Sequence, residues 1–154
     1  MTNSGVDRNS SILNNRASGY ARQDNVLVNA PFIYISNLQG GGSLYSTVGD
    51  MFLWNQAFNS EKLISKKSLE AVFSPHTITP FDASYGYGWF IYKDKSNRRA
   101  FGHTGGINGF KGNITRYPDE KVFVIVLSNL NVAPVDDIAN DLAEMVFSQN
   151  NALK

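Results

Sequence analysis

The stretch Gly102-His103-Thr104-Gly105-Gly106-Ile107-Asn108-Gly109-Phe110 places four glycines among nine residues, shortly before the most hydrophobic strand candidate of the chain. These glycines cannot fill a core, because glycine has no side chain to pack and loses much backbone entropy on folding. They suit a sharp turn of the backbone or the close approach of another molecule. The imidazole of His103 can donate, accept or carry a proton near neutral pH. The stretch therefore predicts a wall of a binding or catalytic site.

Period-two patterns around this stretch predict an antiparallel sheet. One strand is predicted over 85–92, where Tyr85, Tyr87, Trp89 and Ile91 alternate with Gly86, Gly88, Phe90 and Tyr92. Further strands are predicted over 98–103, 110–117 and 122–127, with turns at 94–97 and 118–121. Because Val122–Leu127 is apolar on both faces, we expect it to be a central strand covered from both sides.

Three helices are predicted from capping residues and apolar spacing. Thr47 followed by Asp50 has the form of a capping box, and Ser65 can cap a second helix that ends before Pro75. Pro134 opens a final helix. The predicted apolar stripe of this last helix is Val135, Ile138, Ala139, Leu142 and Val146.

Together these elements predict one α+β domain over residues 1–154, an antiparallel meander of about three to five strands flanked by helices. Residues 1–42 are polar and weakly periodic, which predicts loops and one or two short extended pieces.

Composition excludes several classes of function. A formal net charge of +1 supplies no field to attract nucleic acid. The absence of cysteine excludes disulfides and cysteine-bound metals. His76 and His103 have no carboxylate cluster to complete a metal site, so we expect no metal and no cofactor. No apolar run reaches transmembrane length, and Met1–Gly5 lacks the regions of a signal peptide.

Four segments resemble, in order, those of the serine β-lactamase-like hydrolases, the group of class C β-lactamases, DD-carboxypeptidases and esterases. Gly102–Phe110, with the β-rich run ending at Leu127–Asn129, resembles the C-terminal active-site strand of that family. Gly40–Met51 resembles the Gly-Gly-x-x-Ser-Thr-x-x-Asp motif with which a helix of the family begins. Ala17–Tyr20 resembles the Gly-Tyr motif at the start of one of its strands. Met1–Gly5 resembles an internal segment of the family.

The resemblance assigns roles to the residues of this stretch. His103, Thr104 and Gly105 occupy the positions of the family's Lys-Thr-Gly or His-x-Gly triad. The basic residue would set the protonation of the catalytic group, the hydroxyl would bind a substrate carboxylate, and the glycine would let substrate lie against the strand. The backbone N–H of Gly106 would form half of the oxyanion hole. Asn108 would line the rim of the substrate cleft.

Two family motifs are missing from this sequence. No serine is followed three positions later by lysine, and no tyrosine two positions later by asparagine. The family's nucleophile lies in Ser-x-x-Lys and its second element is Tyr-x-Asn, both N-terminal to every motif seen here. We therefore expect the C-terminal half of a serine hydrolase that is inactive in acyl transfer by itself.

The resemblance also implies the partners of an intact relative. Its substrate would be a small molecule or a peptidoglycan-type peptide. The intact relative would be a bacterial protein located outside the cytoplasm or in the cell envelope. In that family further strands and a helix complete the sheet. Without them we expect a homodimer, or exchange of an element with a second copy.

Simpler explanations remain open for each feature. His103 can be a strand-end histidine that only hydrogen-bonds a carbonyl group. The glycines can serve a bulge and a turn, and Asn108 can be a turn residue. Tyr85 can be sheet packing rather than a residue at the mouth of a cleft. The whole chain can be a non-catalytic remnant or ligand-binding module of the same fold.

Overall fold

Three α-helices and ten strands make up the part of the chain that the computed structural model describes, residues 1–81 and 83–152. The strands are β1 (Gly5–Val6), β2 (Tyr20–Gln23), β3 (Val26–Asn29), β4 (Leu44–Tyr45), β5 (Thr77–Ile78), β6 (Ser84–Tyr85), β7 (Phe90–Lys93), β8 (Arg99–Ile107), β9 (Phe110–Tyr117) and β10 (Val122–Ser128). The helices are α1 (Val48–Ala57), α2 (Lys66–Val72) and α3 (Val135–Ala152), and short 3-10 turns cover Ile35–Asn37 and Gly40–Ser43.

The main sheet is an antiparallel meander in which each strand lies beside its neighbours in the chain. Its order is β10-β9-β8-β7-β6-β5, and two small two-stranded sheets pair β1 with β4 and β2 with β3. The predicted α+β meander flanked by helices is confirmed. Two strands of only two residues, β5 and β6, extend the sheet to six strands.

The predicted strand 85–92 is wrong as a single element. The chain turns back between β6 and β7, which pair with each other as Ser84↔Ile91 and Tyr85↔Phe90. Gly88 has a φ of +81°, which side chains rarely adopt, and a Cβ on Gly86 would collide with a carbonyl oxygen at the end of α2. The two glycines therefore interrupt the alternation rather than continue it.

The predicted strand 98–103 is longer than expected, because β8 runs on through the glycine-rich stretch to Ile107. Only Asn108 and Gly109 turn, and Gly109 supplies the positive φ of +80° that the turn requires. The glycine-rich stretch is therefore mostly extended strand rather than a corner.

The prediction that Val122–Leu127 is a central strand is wrong, since β10 lies at one edge of the sheet. Both of its faces are nevertheless covered, by α3 on one side and by α1 on the other. Two-sided helix cover explains the apolar pattern without a second neighbouring strand.

The predicted apolar stripe of α3 is partly wrong. The residues that face the sheet are Val135, Ala139, Ala143 and Phe147, all buried. The small side chains of Ala139 and Ala143 let the helix axis lie close to the sheet, so that larger residues beside them stay outside. Ile138, Leu142 and Val146 are about two-fifths exposed, and with Met145 they leave an apolar stripe on the outer flank of α3.

Caps and aromatic packing hold the other helices in place. Thr47 and Ser65 accept backbone N–H groups at the starts of α1 and α2, as predicted. Trp54 of α1 stacks on Trp89, and Phe73 after α2 stacks on Phe101 of β8 at 4.4 Å between ring centres. These contacts join α1 and α2 to the face of the sheet opposite α3.

Beside α3, burial raises the pKa of Tyr117 to about 12.

No helix of the described residues combines the length and the apolar character that crossing a bilayer requires.

Candidate active site

The C-terminal half of β8 has an unpaired edge. β9 pairs with β8 along Phe101–Ile107, but β7 pairs with it only along Arg99–Gly102. Among the residues that the structure describes, no strand pairs with 103–107 on the β7 side, and we call this side the open edge of β8. A Cβ placed on Gly105 would meet no atom within 4 Å. At Gly105, the face of the sheet that carries His103 therefore has room for another molecule.

The register of the hairpin decides where the backbone of Gly106 points. Ile107 pairs with Phe110 across the two-residue turn, and Gly106 stands opposite Lys111. In an antiparallel ladder, successive residues direct their N–H and C=O groups to alternate sides. Because Ile107 closes the hairpin toward β9, Gly106 directs its N–H toward the open edge.

His103 is held by two hydrogen bonds. Its Nδ1 donates to the carbonyl oxygen of Thr104 at 2.7 Å, since a carbonyl can only accept. In the neutral ring Nε2 then accepts from the hydroxyl of Tyr85 at 2.9 Å. The ring also lies 5.3 Å from the ring of Phe90. The imidazole is therefore half-buried and fixed in one tautomer at the start of the open edge.

Thr104 belongs to a polar network on the opposite face of the sheet. Its hydroxyl donates to Oδ1 of Asp136 at 2.5 Å and accepts from the side-chain amide of Asn113 at 3.2 Å. The same amide donates to Asp136 at 2.7 Å, and Asn113 accepts from the hydroxyl of Thr115. The first turn of α3 is thereby tied to the middle of β8 and β9.

Asn108 lies in the turn that follows the open edge. Its side-chain amide donates to the carbonyl oxygen of Pro31 at 3.2 Å. Gly109 packs so closely on Gly19 and Ala30 that a Cβ there would lie 2.6 Å from the Ala30 side chain. The hydrogen bond to Pro31 explains Asn108 as a turn residue. A role for Asn108 at the rim of a substrate cleft stays a prediction.

The predicted residues are thus contiguous on one strand and its turn, but His103 and Thr104 project from opposite faces. Sequence reasoning missed the roles of Asn113 and Asp136. For Tyr85 it left sheet packing and a place at the mouth of a cleft open, and did not foresee the hydrogen bond to His103. The single signal for Asp136 was an acidic residue in the first turn of α3, which its helix dipole explains equally well. A cleft of about 510 Å³ lies elsewhere, between 6–10 and 34–38, and none of the predicted site residues lines it.

An antiparallel meander with helices on both faces and an open, glycine-rich strand edge is the architecture of the β-lactamase-like hydrolases. The sequence profile of the Beta-lactamase family matches residues 1–147, so the chain belongs to this family.

Relatives agree with this assignment. The chain is 34% identical to penicillin-binding protein 4* of Bacillus subtilis (strain 168) over 98 residues, which are 63% of this chain and 22% of that protein. The structure of an octameric penicillin-binding protein homologue from Pyrococcus abyssi superposes with a TM-score of 0.84 at 25% identity, covering 96% of this chain and 34% of that one. The chain therefore spans about a fifth to a third of the length of these two relatives.

A more distant structure shows the same fold. The D-stereospecific amidohydrolase from Streptomyces sp. superposes with a TM-score of 0.69 at 18% identity, covering 84% of this chain and 40% of that one.

Proposed function

We propose that this chain supplies the His103-Thr104-Gly105 wall of a serine hydrolase site that acts by acyl transfer on β-lactams, D-Ala peptides or small esters. Membership of the Beta-lactamase family supports this reaction class. The observation that carries the proposal is the open edge of β8, where the N–H of Gly106 points outward and the sheet face over the neighbouring Gly105 is clear of other atoms. A substrate carbonyl lying there would place its oxygen at that donor.

The Gly106 N–H would act on the transition state. Negative charge develops on the carbonyl oxygen during acyl transfer, and a fixed donor stabilises it more than it stabilises the ground state. Loss of one such donor costs about 100- to 1,000-fold in rate. His103, held in one tautomer by the Thr104 carbonyl and oriented by Tyr85, would assist the protonation of the catalytic group.

We also propose that this chain alone performs no acyl transfer, because its sequence holds neither Ser-x-x-Lys nor Tyr-x-Asn. Incubation with a chromogenic cephalosporin and with a p-nitrophenyl ester is expected to give the buffer rate. Turnover that disappears in His103→Ala would contradict this part of the proposal.

The wall itself is tested by joining the chain to the Ser-x-x-Lys and Tyr-x-Asn segment of the Bacillus subtilis relative. Hydrolysis is expected to appear. In that fusion Gly106→Pro removes the outward N–H at a position where a strand edge tolerates proline, and should lower the rate about 100- to 1,000-fold. Gly106→Ala is the matched control, because it changes the same glycine but keeps the backbone N–H. Equal rates in Gly106→Pro and the parent would refute the oxyanion role.

The missing motifs favour a second candidate, a non-catalytic remnant or ligand-binding module that keeps the wall but performs no chemistry. The DNA upstream of Met1 discriminates between the two. Ser-x-x-Lys and Tyr-x-Asn encoded there in frame would support the enzyme, whereas a start codon with its own ribosome-binding site would support the module.

A further inference from the structure

Asp136 already accepts the hydrogen bond of the Thr104 hydroxyl, which a substrate carboxylate would need as its donor. Thr104 has one O–H, and it donates to Oδ1 of Asp136 at 2.5 Å. The amide of Asn113 fills one of the two lone pairs on the hydroxyl and also bonds Asp136. What the hydroxyl still offers is therefore a lone pair, which accepts a proton donor and repels a carboxylate oxygen.

The side chains beside the Thr104 hydroxyl also carry negative charge. Asp136 and Asp137 both lie in the first turn of α3, where the helix dipole favours ionised carboxylates. Among residues 1–81 and 83–152, no cationic side chain lies within 4.0 Å of either carboxylate. Lys111 stands on the same face of the sheet, two residues before Asn113, without forming an ion pair with Asp136.

The size of the repulsion follows from the distances. A carboxylate held by the Thr104 hydroxyl at a usual ~2.7 Å would stand within roughly 5 Å of Asp136 Oδ1. Two like charges at ~5 Å weaken binding by about 4-fold at the dielectric of water, and by about 250-fold at the lower effective value near a protein surface. Because Asp136 is exposed, the effect should lie near the lower limit, at about 4- to 10-fold.

We propose that Asp136 is a specificity residue that makes the open edge of β8 reject ligands with a carboxylate beside Thr104 and accept neutral esters, neutral amides and protonated amines. The inference rests on the proposed function, since it concerns the substrate of the same site. It reverses one expectation from the family resemblance, in which the Thr104 hydroxyl binds a substrate carboxylate. Within the proposed substrate classes it favours small esters over free D-Ala carboxylates.

The test compares three probes on the chain itself: N-acetyl-D-alanine, its methyl ester, and D-alanine methyl ester, which carries a protonated amine. Binding is followed by the amide NMR signals of Gly105 and Gly106. In the wild type the acid is expected to bind about 4- to 10-fold more weakly than its ester. Asp136→Asn should bring the two affinities within about twofold. The comparison variant Asp137→Asn removes a charge from the same turn but no hydrogen bond to Thr104, so it should change the ratio less.

A second measurement needs no variant, in case Asp136→Asn fails to fold. Raising the salt concentration from 0.01 M to 1 M shortens the Debye length from about 30 Å to about 3 Å, so the wild-type preference for ester over acid should shrink. Acid binding as tight as ester binding, or a ratio unchanged by both Asp136→Asn and salt, would overturn the inference while leaving the proposed function standing. If none of the probes shifts Gly106, the proposed function fails, and the inference fails with it.

Discussion

The hydroxyl of Tyr85 lies 2.9 Å from Nε2 of His103, although the two residues belong to strands separated by β7. Tyr85 pairs with Phe90, which in turn pairs with Gly102, so the phenol reaches past the end of β7 to the imidazole. The turn between β6 and β7 is thereby connected to the first residue of the open edge.

Tyr85→Phe should release one end of the His103 ring. Loss of a half-buried hydrogen bond is expected to lower the free energy of unfolding by about 0.5–1.5 kcal/mol, measured by urea denaturation. The ring nitrogen signals of His103 should also change, since Nε2 loses its donor. Tyr87→Phe is the matched control, because Tyr87 is 65% exposed. Equal effects in both variants would contradict the role given to Tyr85.

Gly102 and Gly105 should differ sharply in their tolerance of alanine. A Cβ on Gly102 would lie 2.9 Å from the Tyr92 hydroxyl and 3.1 Å from the backbone carbonyl of Ile114, whereas a Cβ on Gly105 meets open space. Gly102→Ala should lower the free energy of unfolding by about 1–3 kcal/mol. Gly105→Ala should change it by less than about 0.5 kcal/mol. Thermal unfolding of the two variants checks the contrast, and a reversed order would argue against the packing described for β8.

Asp50 should make the fold sensitive to acid. The hydroxyl of Ser4 donates to Asp50 Oδ2 at 2.7 Å and the N–H of Asn3 does so at 2.8 Å. The hydrogen bond from Ser4 is the main cause that lowers the pKa of Asp50 below its usual value of 3.8. Because the folded-state pKa is the lower one, this contribution to stability is complete above about pH 4 and is lost as the pH falls through the folded-state pKa.

The Asp50 prediction is measured by denaturant titrations across that window. Asp50→Asn should be less stable than the wild type at neutral pH, and the difference should shrink below about pH 4. Asp137→Asn, at an exposed position, is the control. A difference independent of pH would show that Asp50 acts through its shape and not its charge.

The outer flank of α3 should mediate self-association. Its apolar stripe of Ile138, Leu142, Met145 and Val146 is exposed, and in the described part of the chain β10 pairs with a strand on one side only. We propose a second copy of this chain as the partner, because two such edges can pair and bury both stripes. Size-exclusion chromatography with light scattering is expected to give a dimer of the 17.0-kDa chain.

Variants of the stripe locate the contact. Leu142→Lys combined with Met145→Lys should return the chain to a monomer, and Asn140→Lys, on an exposed position of the same helix, should not. A compact wild-type monomer at high concentration would contradict the proposal.

Sequence patterns predicted those elements whose signals are local. Caps at Thr47 and Ser65 and the turn after Tyr117 depend on neighbouring residues, and all were found where expected. The break between β6 and β7 was missed because Gly86 and Gly88 fit the alternation of a strand. The reason for the break is the close approach of the end of α2 at Val72, a tertiary contact that no local pattern shows.

The candidate site shows the same limit. His103 and its glycines share one continuous stretch and could be read from the sequence. Asp136 stands 32 residues after Thr104, and Asn113 touches both only because β8, β9 and α3 meet in three dimensions. A hydroxyl taken for a substrate ligand was therefore found already bonded to the protein.

The meander order of the sheet also governs the timing of assembly. Strands that are neighbours in space are neighbours in the chain, so each hairpin can close over a short loop soon after its residues are available. The side chain of Asn129, in contrast, bonds the carbonyl of Ser18 across 111 residues. During synthesis Ser18 leaves the ribosome first and stays without this partner until Asn129 has been made, so the N-terminal segment cannot finish docking before β10 has formed.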